Sequence, residues 1–139
     1  ENRNALRSLS FFENFSEEEI DEMLAAASML NFNAGDTVIT EGDTENAFYI
    51  IANGEAEVHK GGKHLITLGK GDVVGEMGFL AATRRTATVT AKTGLLTLRV
   101  TQAAVEQVST SCQLSYYKTF AQTLIFRLAM TSARLGSKS

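Results

Sequence analysis

A chain of 139 residues, 44% hydrophobic and 21% charged, has room for one domain with an apolar core, is short for two, and is not disordered along its length. Thirteen Lys and Arg against 16 Asp and Glu give a formal charge of -3 with no basic block, which argues against a surface that grips nucleic acid while leaving room for a small anion held by one well-placed Arg. The lone Cys112 excludes an internal disulfide, no apolar run reaches the roughly 18 residues of a membrane helix, and Glu1 to Leu9 is no signal peptide, so the expectation is a cytosolic domain or the cytosolic part of a larger protein.

Leu6, Leu9, Phe12 and Phe15 recur every three residues and predict a short helix or paired turns over 4–15. Ser16 and Glu19 then form a capping-box pair. They start a helix that aligns Ile20, Met23, Leu24, Ala27 and Leu30 on one face. From Phe32 the texture changes to short β-favouring runs separated by glycines. Strands are predicted at Thr37–Thr40, Ala47–Ala52, Glu55–Lys60, Lys63–Leu68, Thr86–Thr90 and Leu95–Val100, with Asn53-Gly54 and Gly61-Gly62 suited to tight hairpin turns. Close, even spacing of short strands points to an antiparallel roll or barrel. After Val100 the pattern returns to helix. Thr101 can cap a turn carrying Ala104, Val105 and Val108, and a longer helix is predicted from about Thr110 to Arg134. Its apolar face, including Leu114, Tyr117, Phe120, Leu124, Ile125 and Leu128, is wide enough to need cover from the roll, a second subunit or a neighbouring domain.

The chemistry sits in the segment Gly71 to Val89. Flexible glycines surround Glu76, a short apolar helical turn follows, and Arg84-Arg85 stand at the mouth of a strand. Backbone N–H groups near Gly78 are placed to meet a phosphate, Arg85 to close on it with fixed donors, and Glu76 to accept from sugar hydroxyls. The residues alone leave a plainer reading open. In it the glycines serve tight turns, Glu76 is a surface carboxylate and Arg85 faces solvent.

The same stretch resembles the phosphate-binding cassette of cyclic nucleotide-binding domains. Gly75, Glu76, Met77, Gly78, Phe79 and Leu80 match its first half, and Arg85, Thr86, Ala87, Thr88 and Val89 its second. Phe32 to Asp43 is similar to the family's first strand and turn, and Phe48 to Val58 to its central hairpin. The resemblance implies a mainly β fold with flanking helices: N-terminal helices over 1–30, an antiparallel, jelly-roll-like β-roll over 31–100 with the cassette at 75–89, and C-terminal helices over 101–135. It implies that Glu76 binds the ribose 2′-hydroxyl beside the Gly75 backbone, and that Arg85 pairs with the cyclic phosphate. Backbone groups near Gly78, Phe79 and Thr86 complete the cradle, with Met77 and Ala87 in the same cassette and Arg84 peripheral. Val73, Val74 and Val89 are candidate apolar walls for the base. Tyr116, Tyr117, Phe120 and Leu124 are candidate lid residues, with ordinary helix packing or dimerisation as their alternative.

The ligand implied is cAMP or cGMP, with no further cofactor. A Thr at position 86 occurs in relatives that prefer cGMP, and small hydroxyl residues also occur in cAMP-binding bacterial members, so cAMP is favoured over cGMP by a narrow margin. The domain is expected to be no enzyme. Binding is expected to move the C-terminal helix and so control an output domain outside this chain or a partner, with a homodimer as a further option and no direct contact to nucleic acid or membrane. Two rivals stand beside this reading. One is a docking or dimerisation module that keeps the fold without the ligand. The other is a cupin-like metalloenzyme using His59 and His64, which lacks a supporting Cys or carboxylate cluster.

Overall fold

The computed structural model describes residues 2–75, 85 and 87–136, with side chains described between 5 and 129. Helix α1 (Asn2–Arg7), a 3-10 helix (Ser10–Asn14) and α2 (Glu17–Ala26) lead into eight strands, followed by α3 (Gln102–Gln107) and the long α4 (Thr110–Gly136). The strands are β1 (Ser28–Phe32), β2 (Thr37–Ile39), β3 (Ala47–Asn53), β4 (Ala56–Lys60), β5 (Lys63–Leu68), β6 (Val73–Val74), β7 (Thr88–Ala91) and β8 (Leu95–Thr101). They form two four-stranded sheets of order β1-β8-β3-β6 and β2-β7-β4-β5, every recorded pairing antiparallel. The predicted mainly β roll with flanking helices is the observed architecture.

Local chemistry accounts for several element ends. Ser16 accepts from the Glu19 N–H at 3.2 Å and the Glu19 side chain accepts from the Ser16 N–H at 3.1 Å, the reciprocal box that opens α2. Thr101 caps α3 by accepting from the Ala104 N–H. Gly61 and Gly62 both carry positive φ between the register partners Lys60 and Lys63, as a tight hairpin turn requires. Three expectations need correction. The α2 helix stops at Ala26, and the segment holding Leu30 becomes β1, because Ser28–Phe32 finds a full ladder of partners on β8. Asn53-Gly54 is not a hairpin turn: β3 and β4 lie in different sheets, so it carries the chain from one to the other. The two-residue β6 is absent from the predicted strand runs, although Val73 and Val74 read as strand residues.

Strand β3 is buried on both faces, which explains the unbroken apolar run at Ala47–Ala52. Phe48, Ile50, Ala52, Val73, Leu98 and Val100 face an outer core shared with the helices, while Tyr49, Ile51, Val74 and Leu95 face an inner core between the sheets. The outer core is rich in aromatics: Phe48 meets Phe120 edge-on at 4.9 Å and Tyr116 at 5.6 Å between ring centroids. Cys112 is buried there as well, its thiol pushed up to about 12 by burial, so it is a packing residue. Polar ties join α2 to the start of α4. Glu22 accepts from the Ser109 N–H and hydroxyl at 2.7 and 2.8 Å, and Ser115 donates to Glu19 at 2.7 Å.

Candidate nucleotide-binding site

Strand β6 delivers the chain to Gly75, whose φ of 85° lies in the left-handed region. A Cβ there would sit 2.9 Å from Arg85 Nη1 and from Ile39 Cδ1, and 3.3 Å from the Ala47 carbonyl oxygen. Glycine is thus required both by backbone conformation and by the close approach of Arg85. Arg85 is fastened from the other side of the roll. Its N–H donates to the Asp43 carbonyl at 2.7 Å, and its carbonyl accepts from the Gly42 N–H at 2.8 Å. The backbone of Arg85 is therefore pinned to the turn after β2.

The Arg85 side chain does not face solvent: the residue is 4% exposed. Nη1 donates to the Gly75 carbonyl at 2.7 Å and Nη2 to the Ala47 carbonyl. The Glu45 carboxylate stands 3.7 Å from Nη2, beyond a hydrogen bond but close enough to act as a counter-charge. Nε is buried and has no hydrogen-bond partner among the described residues. A guanidinium has five N–H donors, so two carbonyl acceptors leave much of its donor capacity open.

Glu45 is shared. It accepts from Arg99 Nε at 3.1 Å and Nη2 at 2.9 Å, and from the Tyr49 hydroxyl at 3.0 and 3.1 Å. The Glu45 bond holds Arg99 above the ordinary guanidinium range, and burial raises the Tyr49 hydroxyl. Among the described residues, two guanidinium groups face one carboxylate, so the cluster carries one uncompensated positive charge. A buried cation without its full counter-charge is costly, and an anion supplied from solution relieves that cost.

Of the other predicted site residues, Val74 and Val89 lie in the inner core, whereas Val73 does not: successive strand residues point to opposite faces, so it joins the outer core. Ala87 is half-buried just before β7. Glu76, Met77, Gly78, Phe79, Arg84 and Thr86 lie outside the described residues. Of the lid candidates, Tyr116 and Phe120 are buried in the outer core, Leu124 is half-buried and Tyr117 is exposed. The packing alternative therefore accounts for the first two. His59 and His64 are register partners across the β4–β5 hairpin with ring centroids 5.6 Å apart. No group of three His, Cys, Asp or Glu side chains able to hold a metal occurs among the described residues.

A separate cavity of about 380 Å³ lies between the 3-10 helix, the β5–β6 edge and α4, with Phe11, Asn14, Ile66, Val73, Phe126 and Arg127 among its walls. None of the Arg85 cluster lines it.

Glu45, Tyr49 and Arg99 had not been singled out from sequence. One signal was available for Arg99, a charged residue in an otherwise apolar strand, Leu95–Thr101. Glu45 had none, since only the β3–β8 register sets Tyr49 opposite Arg99 and draws Glu45 to them.

The roll, with Gly75 making room for the buried guanidinium of Arg85, defines the class of fold. The family model described as "Cyclic nucleotide-binding domain" matches residues 29–111, and the chain belongs to that family. The chain is 33% identical over 138 residues to a cGMP-dependent protein kinase of Toxoplasma gondii, covering 99% of this chain and 13% of that protein. It is 52% identical over 65 residues to the cAMP-dependent protein kinase regulatory subunit of Schizosaccharomyces pombe, covering 46% of this chain and 16% of that one. It thus spans less than a fifth of the length of these curated relatives. Among solved structures, the regulatory subunit of a cAMP-independent protein kinase A from Trypanosoma brucei superposes with a TM-score of 0.76 at 28% identity, over 86% of this chain and 44% of that one. A cyclic nucleotide-binding domain from Methylobacillus flagellatus gives a TM-score of 0.88 at 19% identity, over 99% and 85% of the two chains, which shows the shared fold. Among the described residues, no helix is long and apolar enough to cross a membrane.

Proposed function

We propose that this domain is a sensor of a cyclic purine nucleotide, cAMP in preference to cGMP, that couples binding to movement of α4 and thereby to an output domain or partner. The observation that carries the reading is Arg85: a buried guanidinium with Nε unpartnered among the described residues and its one described counter-charge shared with Arg99. A cyclic phosphate takes Nε and a neighbouring Nη–H side-on, in the bidentate geometry that planar guanidinium groups favour. Glu76 takes the ribose 2′-hydroxyl, and backbone groups of Gly75, Gly78, Phe79 and Thr86 complete the cradle. Met77 and Ala87 fix the cassette's course, Val74 and Val89 flank the base, and Tyr117 and Leu124 on α4 are the remaining lid candidates.

The preference for cAMP rests on relatives named as cAMP-dependent regulatory subunits, since Thr86 is compatible with either nucleotide. The relative named as a cGMP-dependent kinase makes cGMP the competitor to test. Calorimetric titration of nucleotide-free protein with each nucleotide decides the matter. One-site binding that Arg85→Ala weakens at least about tenfold, the scale of a lost charge-assisted hydrogen bond, supports the sensor. Absence of binding to either nucleotide overturns it in favour of a docking module.

A further inference from the structure

The geometry points to Arg127 as a positioning residue: a latch that holds the distal half of α4 against the strand leading into the phosphate site. This inference rests on the sensor reading for its consequence, though not for the existence of the latch.

The two halves of α4 meet the rest of the protein differently. Its first half is anchored by a buried stripe, Cys112, Tyr116, Thr119 and Phe120, at helical spacing on the outer core. Past Phe120 that stripe ends. Ile125, Phe126 and Leu128 are 65%, 65% and 67% exposed, and the cavity of about 380 Å³ opens between this part of the helix and the roll. Polar contacts of Asn14 and Arg127 bridge the gap. Asn14 donates to Gln122 at 2.7 Å, and Arg127 Nη2 donates to the Val73 carbonyl at 3.0 Å. The first fixes the helix where the apolar stripe ends, while the second reaches across the cavity a turn farther along.

The acceptor's position gives the second contact its meaning. Val73 lies two residues before Gly75, whose own carbonyl accepts from Arg85 Nη1. A short stretch, Val73-Val74-Gly75, is thus gripped by two arginines, one from the helix and one from the anion cluster. A phosphate that draws Arg85 away from Gly75 alters the end of β6, and β6 carries the carbonyl that Arg127 holds. The latch and the ligand then bias one another, and the bias is equal in both directions because linkage is reciprocal.

Hydrogen–deuterium exchange of α4 and nucleotide calorimetry are run on the whole chain as wild type, Arg127→Met and Arg127→Lys. Methionine keeps an apolar stem and removes every donor; lysine restores one. In nucleotide-free protein, Arg127→Met is expected to speed exchange over residues 121–129 at least about fivefold, the loss of the Val73 bond alone being worth about that, with residues 110–120 unchanged and partial rescue in Arg127→Lys. Nucleotide affinity is expected to change in Arg127→Met by the same factor by which nucleotide changes latch opening in the wild type. Unchanged exchange over 121–129 overturns the latch. Altered affinity with unchanged exchange also overturns it, making Arg127 a direct ligand contact. If the wild type binds neither nucleotide, the sensor reading fails while the nucleotide-free exchange still decides whether the latch exists.

Discussion

The outer and inner cores are built on the two faces of one sheet and solve opposite problems. On the outer face, Phe48, Ile50 and Val100 meet Phe11, Tyr116 and Phe120 in a closely packed aromatic and aliphatic cluster. On the inner side, Tyr49 hydrogen-bonds Glu45 beside a buried Arg85 whose charge Glu45 only partly offsets. The outer cluster gathers apolar and aromatic groups, with the Tyr116 hydroxyl buried among them and unpartnered among the described residues, while the inner side gathers charge. Strand β3 serves both by alternation, so the apolar face that fixes the helices also fixes the register that sets Tyr49 opposite Arg99.

The sharpest way to break this contrast is to remove one large group from each face. Phe48→Ala, which deletes a fully buried ring at the centre of the outer cluster, is expected to cost about 3–5 kcal/mol of stability, measured by urea unfolding. Arg85→Ala removes a residue that is nearly as buried and is expected to leave the nucleotide-free stability within about 1 kcal/mol of wild type, because it also removes an under-compensated charge. On the proposed function, its effect belongs to ligand affinity. If Arg85→Ala destabilised the protein as much as Phe48→Ala, the inner site would be part of the stabilising core and the contrast would collapse.

Much of this division was legible in the sequence, and the boundary of what was legible is physical. The Ser16–Glu19 box, the Gly61-Gly62 turn and the Thr101 cap are short-range devices whose partners lie within a few residues, so they read directly. Arg85 and Gly75 read through the pattern they share with a family. Strand β1 did not, because Leu30 also continued the helical spacing of α2, and its strand partners on β8 lie some seventy residues away. The sheet change at Asn53-Gly54 was hidden for the same reason: a turn dipeptide specifies a bend without saying which strand follows it into which sheet. Glu45 was invisible because its role exists only once Arg85 and Arg99, 40 and 54 positions on, are folded beside it.

A smaller perturbation sharpens the account of the inner site. Glu45→Gln keeps the shape of the side chain while leaving Arg85 and Arg99 without their shared carboxylate, so the cluster's uncompensated charge grows from one to two. Glu45 and Arg99 are each about one-third exposed, so water screens much of the loss, and the expected cost in nucleotide-free stability is about 1 kcal/mol. A phosphate would no longer compete with Glu45 for Arg85. Nucleotide affinity is therefore expected to rise about threefold by calorimetry, comparable to the worth of one screened ion pair. A fall in affinity would mean that Glu45 chiefly holds Arg85 in position.

The smallest expected effect tests the other side of the comparison, where α2 meets α4. Glu19 is held below its ordinary 4.5, chiefly by the Ser115 hydroxyl, with the Ser16 N–H and Ser111 acting in the same direction and burial opposing them. A carboxylate whose folded value is depressed contributes its full stabilisation above the unfolded value and loses it as pH falls through the folded one. The contact between α2 and α4 is thus expected to weaken on acidification below about 4.5 and to be insensitive around neutrality. Melting temperatures of wild type and Glu19→Gln, followed from pH 7 to 3, should converge as the wild-type carboxylate protonates. Curves that stay parallel over that range would show that the Ser115 bond does not stabilise the ionised form, leaving the aromatic cluster and the Glu22–Ser109 tie to hold α4 in place.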